Sequence, residues 1–325
     1  MTHAHMQKGP LMRTRLLALA LAAGMGLTTA TPSNAATPST AVTSRIAVHF
    51  DLAKGQQPEN IALAPDGTAY VTFAAARQVA AISPKGTIRI LATLPAPAEG
   101  GAPALGFALT TGIVRTADGM LYFLYASGDA TTTGLYRLRP GRTPQRIAAL
   151  PANGLPNGLA YDEPAKTFYL TDSVLGSIST VPLRGGPART WSSAPELAAA
   201  GFLGANGIKV RHGAIWATNL DQGTLLRIPI GKGRPGPVQV KATGLAGIDD
   251  IAFTGNGDDE VVAALNAPNK VVRIDSGGRT VTLLTAGLQN PTSVAARGRT
   301  LYVLSAAYLT ATDPNLILAP LGARA

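Results

Sequence analysis

One pattern recurs six times along the chain, and it constrains the fold more than any other feature of the sequence. Each copy has two or three small or polar residues, an apolar pair, a turn, an apolar strand, and then a second turn and strand. The equivalent positions in the six copies are Glu59, Thr111, Asn157, Asn206, Asp249 and Thr292. They are separated by 52, 46, 49, 43 and 43 residues. A period in the forties with about four strands per unit is typical of β-propeller blades rather than of a solenoid.

The first unit shows how four strands fit one repeat. Its apolar segments are separated by turn-forming residues, and the predicted strands are Asn60–Leu63, Ala69–Phe73, Val79–Ser83 and Ile88–Leu94. The sixth unit ends at Leu316–Ala319 without a fourth strand, whereas the alternating segment Ile46–Phe50 precedes the first unit. The sequence therefore predicts an all-β, six-bladed β-propeller over residues 46–325, in which an N-terminal strand closes the last blade. The one helix predicted is short, Pro195–Ala200.

The N-terminus has the features of an export signal. Arg13 and Arg15 precede the apolar run Leu16–Leu27, and a stretch of small residues ends at Ala35. The run has twelve residues, fewer than the roughly 20 that span a bilayer. We predict that residues 1–35 are a Sec-type secretory signal peptide and residues 36–45 a flexible leader. The mature protein would then be secreted, with no stable membrane insertion after cleavage.

Composition excludes several kinds of chemistry and of partner. The chain has no Cys, which rules out disulfides, thiolate zinc sites, iron–sulfur clusters and cysteine nucleophiles. After removal of residues 1–35 the chain has 25 basic and 18 acidic side chains. The basic residues are scattered over predicted turns without interleaved aromatic residues, so we expect no nucleic-acid partner. We expect a monomer whose partner is a small molecule.

The six equivalent positions are expected to ring one mouth of the central channel, because the first strand of each blade lines that channel. Glu59, Asn157, Asn206 and Asp249 are oxygen donors, and Asp250 stands beside Asp249. Carboxylates mixed with amide carbonyls favour Ca²⁺, with Mg²⁺ or Mn²⁺ as weaker candidates. Zinc is disfavoured, since the four histidines of the chain form no cluster in the sequence.

Two other interpretations of the same residues stay open. An Asn before Gly is often a hairpin-turn residue, and both Asn157 and Asn206 precede Gly. The four oxygen donors could also form a hydrogen-bonded polar ring that closes the channel mouth without a metal.

The chain resembles the SMP-30/gluconolactonase/LRE-like superfamily, together with the paraoxonases, over the region from about residue 46 onward. The motifs that carry the resemblance are PEN at Pro58, PNGLAY with FYLTDS at Pro156, ANGI with IWATN at Ala205, and GIDDIAF at Gly247. The resemblance implies a propeller with calcium in its channel and a calcium-dependent hydrolase of a lactone or small ester. It implies metal ligands at Glu59, Asn157, Asn206 and Asp249, although the gluconolactonase pattern has an Asp where Asn206 stands.

Catalytic and supporting roles are assigned by a physical argument, in which a carboxylate beside the metal takes a proton from water. Asp249 or Asp250 is the candidate general base, and Thr111 and Thr292 are candidate substrate contacts. Asp172 could support the metal ligands through hydrogen bonds. The alternative function is a non-catalytic binding scaffold in which calcium is only structural. A propeller lyase of the streptogramin-inactivating kind is disfavoured by the missing catalytic histidine.

Overall fold

Six antiparallel sheets surround a central channel in the computed structural model, which describes residues 44–255 and 259–321. Strand β1 is Arg45–His49, and a 3-10 turn follows at Leu52–Lys54. The first three blades are formed by β2 (Pro58–Leu63), β3 (Ala69–Phe73), β4 (Gln78–Ile82) and β5 (Ile88–Thr93); β6 (Leu109–Arg115), β7 (Leu121–Ala126), β8 (Gly134–Leu138) and β9 (Gln145–Ala149); and β10 (Pro156–Asp162), β11 (Thr167–Asp172), β12 (Ser177–Pro182) and β13 (Arg189–Ser192).

The other three blades follow in chain order. Their strands are β14 (Ala205–Arg211), β15 (Ala214–Asn219), β16 (Thr224–Gly231) and β18 (Gln239–Ala242), with the short β17 (Arg234–Pro235) beside β16; β19 (Ile248–Phe253), β20 (Val261–Leu265), β21 (Lys270–Ile274) and β22 (Thr280–Leu284); and β23 (Pro291–Arg297), β24 (Thr300–Ser305) and β25 (Asn315–Pro320). In the sixth blade β1 pairs antiparallel with β25. The all-β, six-bladed propeller closed by an N-terminal strand is therefore confirmed.

The differences from the predicted elements are small. Strand ends shift by one or two residues, and the helix predicted at Pro195–Ala200 is wrong in type and length, since the structure has a 3-10 turn over Pro195–Leu197. Strand β1 begins at Arg45, the last residue assigned to the leader. The predicted signal peptide and the rest of the leader, up to residue 43, lie outside the described residues. Within the described part, no helix is long and apolar enough to cross a membrane.

The hydrophobic core is divided among the interfaces between blades. Six clusters of buried apolar side chains each join one blade to the next, including the pair formed by the sixth blade and the first. The largest fully buried side chain, Trp216, lies between the fourth and fifth blades, where its ring meets Phe253 edge-on at 5.5 Å. Because every blade is buried on two sides, burial of apolar surface favours the closed ring over any open one.

Every inner strand contains a β-bulge at the same register. In each first strand the pairing with the second strand slips by one residue, close to Glu59, Thr111, Asn157, Asn206, Asp249 and Thr292. An extra residue on one strand bends that strand and re-aims its side chains. The Asn-Gly pairs at Asn157 and Asn206 therefore belong to bulges on inner strands and not to hairpin turns.

Threonine hydroxyls connect the bulges of the third and fourth blades to the blade that follows each of them. Thr171 Oγ1 accepts a hydrogen bond from Gly158 N at 2.8 Å and donates one to Asn206 O. Thr218 Oγ1 does the same in the following blade, accepting from Gly207 N and donating to Asp249 O, both at 2.8 Å. These bonds fix the rotation of one blade against the next at the level of the mouth.

Gly158 is required at its bulge by the close approach of the neighbouring blade. A Cβ atom there would lie 2.3 Å from Asn206 O and 2.9 Å from Thr171 Oγ1. We expect Gly158→Ala to lower the free energy of unfolding by about 2–3 kcal/mol, because the two inner strands must move apart. The matched control is Gly231→Ala, where no heavy atom lies within 4 Å. Equal stability of the two variants in urea unfolding would contradict this account of the bulge.

Candidate functional site

The four predicted metal ligands occupy equivalent positions of the channel-lining strands, at the same end of the propeller. Glu59, Asn157, Asn206 and Asp249 each occupy the second position of an inner strand, and their residues are between 3% and 8% exposed. These four residues are called the mouth ring below. They come from the first, third, fourth and fifth blades. Carboxylates and amides at such low exposure are satisfied by protein hydrogen bonds, by water or by a bound ion.

Each ring carboxylate, and one ring amide, is held by a single hydrogen bond. The three bonds are Tyr308 Oη to Glu59 Oε2 at 2.5 Å, Asn157 Nδ2 to Ser173 Oγ at 3.1 Å, and Asn266 Nδ2 to Asp249 Oδ2 at 3.2 Å. Among the described residues, no hydrogen bond reaches the second oxygen of Glu59 or Asp249, the carbonyl oxygen of Asn157, or any side-chain atom of Asn206. The ring therefore presents four oxygen atoms without a protein partner.

Asp250 has a different environment from its neighbour Asp249. Its Oδ1 pairs with Lys209 Nζ at 2.5 Å, and its Oδ2 accepts hydrogen bonds from Ser293 Oγ at 2.6 Å and Asn60 Nδ2 at 3.4 Å. The Asp250 side chain is 2% exposed and that of Lys209 is 29% exposed. Both carboxylate oxygens of Asp250 are thus occupied by groups from three other blades.

Mutual repulsion and burial act on the carboxylates of the mouth. Burial raises the pKa of Glu59 to about 7, and the charge of Asp250 adds to that shift while the Tyr308 hydrogen bond opposes it. Burial also raises the pKa of Asp249 well above its ordinary value, and the charges of Glu59 and Asp250 raise it further. Lys209 balances one of the three negative charges, so two remain when all three carboxylates are ionised.

The three other predicted site residues are placed by hydrogen bonds to the backbone. Thr111 Oγ1 donates to Pro156 O, and Thr292 Oγ1 donates to Pro58 O, both at 2.8 Å, so each hydroxyl joins its blade to the next. The Asp172 carboxylate accepts from the backbone N–H groups of Leu155, Val174 and Leu175 at 2.8–3.1 Å. Burial raises the pKa of Asp172, and these backbone bonds oppose the shift.

Sequence reasoning did not identify Lys209, Ser173, Asn266 or Tyr308. Ser173 and Asn266 each follow the second strand of their blade directly, so the repeat register that aligned the mouth ring also carries their position. Lys209 is a charged residue between two apolar ones on an inner strand, which is a signal of an internal partner. Tyr308 lies in the long loop between β24 and β25, where no repeat position corresponds to it.

An apolar cluster packs over the same end of the propeller. It contains six buried residues and four partly buried ones from loops and strand ends of the mouth face, namely Ala74, Ala102, Leu109, Ala126, Leu155, Leu203, Leu105, Val174, Leu220 and Tyr308. Tyr308 connects this cluster to the ring, because its hydroxyl bonds to Glu59.

The ring fits a hard divalent cation only if the amides take part. Within residues 44–255 and 259–321, no three Asp, Glu or His side chains come together to hold a metal by themselves. The two described histidines are exposed and pair with loop carboxylates, His49 with Asp313 and His212 with Asp259. Two carboxylate and two amide oxygens without protein partners among the described residues form a donor set suited to Ca²⁺.

Comparisons with known proteins agree on the fold class. No protein-family model matches the chain, and no curated protein is significantly similar to it. Similar solved structures include a gluconolactonase from Xanthomonas campestris, with 13% identity over 89% of this chain and 98% of that one and a TM-score of 0.62.

Two further structures show the same architecture. A luciferin-regenerating enzyme has 12% identity over 86% of this chain and 95% of that one, with a TM-score of 0.64. An inactive virginiamycin B lyase from Staphylococcus aureus has 16% identity over 83% and 82% of the two chains, with a TM-score of 0.60. The chain is a six-bladed β-propeller, and gluconolactonase-like and lyase propellers are among its structural neighbours.

The pair between Lys209 and Asp250 is expected to stabilise the channel. Lys209→Met leaves the Asp250 carboxylate buried without a cation, and we expect the free energy of unfolding to fall by about 2–4 kcal/mol. Adding Asp250→Asn to that variant should recover part of the loss, because no unpaired charge then remains. Lys54→Met, which breaks the exposed pair with Asp51 at 2.8 Å, is the control and should leave stability unchanged. A loss in the control as large as that of Lys209→Met would contradict the assignment.

Proposed function

We propose that this protein is a calcium-dependent hydrolase of a lactone or small ester, related to the SMP-30/gluconolactonase/LRE-like propellers. The observation that carries the proposal is the mouth ring, in which four buried side chains each keep one oxygen without a protein partner. Three of these side chains are oriented by a hydrogen bond at their other polar atom. Such outer hydrogen bonds are what orients metal ligands in proteins.

Calcium is favoured by the chemistry of the donors. Glu59 and Asp249 would supply charged oxygens, and Asn157 and Asn206 would supply neutral ones. Ca²⁺ accepts carboxylate and carbonyl oxygens in a flexible geometry and leaves positions for water or substrate. The charge of the ion would equal the two negative charges that Lys209 leaves unbalanced. Mg²⁺ or Mn²⁺ would fit the same donors less well.

A bound calcium ion would supply electrophilic stabilisation of the negative charge that develops on an ester carbonyl oxygen. The residues of the chain would supply the rest. Asp249 is the better of the two candidate bases, since its Oδ1 has no hydrogen-bond partner among the described residues. Asp250 is a poor candidate because Lys209, Ser293 and Asn60 occupy both its oxygens. As a general base Asp249 would take the proton of the attacking water, so the same carboxylate would both bind the ion and accept the proton.

The substrate is expected to be small and uncharged. A bound calcium ion would neutralise the two ring carboxylates, so no net charge would remain to attract an ionic substrate, and the apolar cluster at the same end of the propeller disfavours strongly solvated groups. A neutral lactone or ester satisfies both conditions. Export through the predicted signal peptide would place this activity outside the cell, where calcium is abundant.

A non-catalytic scaffold with structural calcium is the second candidate. The observation in its favour is the low exposure of all four ring residues, which suits an ion that stabilises the blades without exchanging ligands. In that case calcium removal lowers the melting temperature and no ester is hydrolysed.

Asn206→Ala is the variant that tests the metal site with least disturbance. Its side chain makes no hydrogen bond to another described residue, so we expect the metal-free melting temperature to stay near that of the wild type. We expect the calcium Kd to rise by at least about tenfold, because one of four protein oxygens is gone. The control is Asn219→Ala, which removes a buried amide that bonds Glu196 O and Ala198 O. It should lose stability and keep its calcium affinity.

Activity is measured on a panel of γ- and δ-lactones and aryl esters, with calcium, after chelation, and after calcium is restored. Turnover that disappears and returns with calcium supports the hydrolase. Calcium binding without any turnover favours the scaffold, and an unchanged calcium Kd in Asn206→Ala contradicts the mouth ring as the metal site.

Asp249→Asn separates the two candidate bases. The amide keeps an oxygen for the metal but accepts no proton, so we expect kcat to fall by about 10²–10⁴-fold at saturating calcium. Asp250→Asn should instead lower stability, with a smaller effect on kcat. The reverse order of the two kcat values, measured on one active lactone, would show that Asp250 is the base.

A further inference from the structure

The sixth blade contributes to the mouth in a way that its repeat position does not show. The equivalent position in this blade is Thr292, whose hydroxyl donates a hydrogen bond to Pro58 O of the first blade. The loop between β24 and β25 instead brings Tyr308 to the ring, where its hydroxyl donates to Glu59 Oε2 at 2.5 Å. The sixth blade therefore reaches the mouth through a loop side chain that touches a residue of another blade.

The backbone on either side of Tyr308 is held in an unfavourable conformation. Ala307 has φ +55° and Ala311 has φ +49°, in the left-handed region that non-glycine residues seldom adopt. A hydrogen bond from Ala311 N to Ala307 O at 2.9 Å closes the turn. Strain of this kind persists only where surrounding contacts enforce it, and it is common at functional sites.

Asn290 supplies those contacts. It is 1% exposed, and its Oδ1 accepts hydrogen bonds from Leu309 N at 2.8 Å and Thr310 N at 3.0 Å. Its own backbone carbonyl accepts from Ala306 N at 3.1 Å. One buried amide thus fixes the residues that immediately follow Tyr308.

The same amide connects the loop to the other carboxylate of the ring. Asn290 Nδ2 donates to Asn266 O at 3.4 Å, and Asn266 Nδ2 donates to Asp249 Oδ2 at 3.2 Å. A continuous set of contacts therefore runs from Asp249 through Asn266 and Asn290 to the Tyr308 loop and Glu59. It links both ring carboxylates across the sixth blade.

We propose that Tyr308 is a positioning residue for the metal-binding site, and that Asn290 holds it in place. The Tyr308 hydroxyl fixes Glu59 Oε2, which leaves Glu59 Oε1 without a hydrogen-bond partner among the described residues. Asn266 fixes Asp249 in the same manner, so the two carboxylates are oriented by one connected loop network. This inference rests on the proposed function, because it concerns the response of the ring to calcium.

Tyr308→Phe is the direct test, since it keeps the aromatic side chain in the apolar cluster and removes only the hydroxyl. We expect the calcium Kd, measured by isothermal titration of the chelated protein, to rise by about tenfold. The matched control is Tyr136→Phe, which removes a tyrosine hydroxyl bonded to Thr132 O at 2.7 Å on an outer part of the second blade. The control should leave the calcium Kd unchanged, although both variants lose one hydrogen bond.

Asn290→Ala tests whether the loop acts through Tyr308. It should lower the melting temperature and also raise the calcium Kd, and the double variant with Tyr308→Phe should have a Kd no higher than the worse single variant. Independent roles would instead multiply the two effects.

The outcomes separate the two proposals. A wild-type protein that binds no calcium overturns the proposed function and this inference with it. A wild-type protein that binds calcium with a Kd that Tyr308→Phe leaves unchanged overturns the positioning role alone, as does a fully multiplicative double variant.

Discussion

The β-bulge shared by the six inner strands is the constraint on which the site depends. A regular strand would alternate its side chains between the two faces of a blade. One extra residue at the same register in each blade breaks that alternation at the channel mouth. It frees the backbone there to bond to the next blade, as Thr171 and Thr218 show. The side chain at the bulge position can therefore differ from blade to blade, and it can carry a functional group.

At the interface between the fifth and sixth blades a different hydrogen bond takes the place of the threonine bond. Thr171 and Thr218 face the bulges of the third and fourth blades, but Ala264 faces the bulge of the fifth. No hydroxyl is available there, and the bond from Ser293 Oγ to Asp250 Oδ2 at 2.6 Å joins the two blades instead. Asp250 is consequently part of the structure of the channel, and Lys209 supplies the positive charge that makes its burial tolerable.

Much of the fold was predictable because its signal is repeated. Six copies of a weak pattern reinforce one another, so the blade count, the closing strand β1 and the equivalence of Glu59, Asn157, Asn206 and Asp249 all follow from register. The partners of these residues were less accessible to sequence reasoning. Lys209 meets Asp250 only when two blades pack together, and Tyr308 lies in a loop that no other blade shares. The short helix at Pro195 was mistaken because a proline-led turn of three residues and the first turn of an α-helix have the same local signals.

Anomalous diffraction from a crystal grown with calcium or a heavier lanthanide substitute tests the central claim most directly. The account predicts one strong peak at the channel mouth, about 2.3–2.6 Å from oxygens of Glu59, Asn157, Asn206 and Asp249. A crystal with no peak at the mouth, or with the ion held by Asp250 and not by the four ring residues, would contradict it.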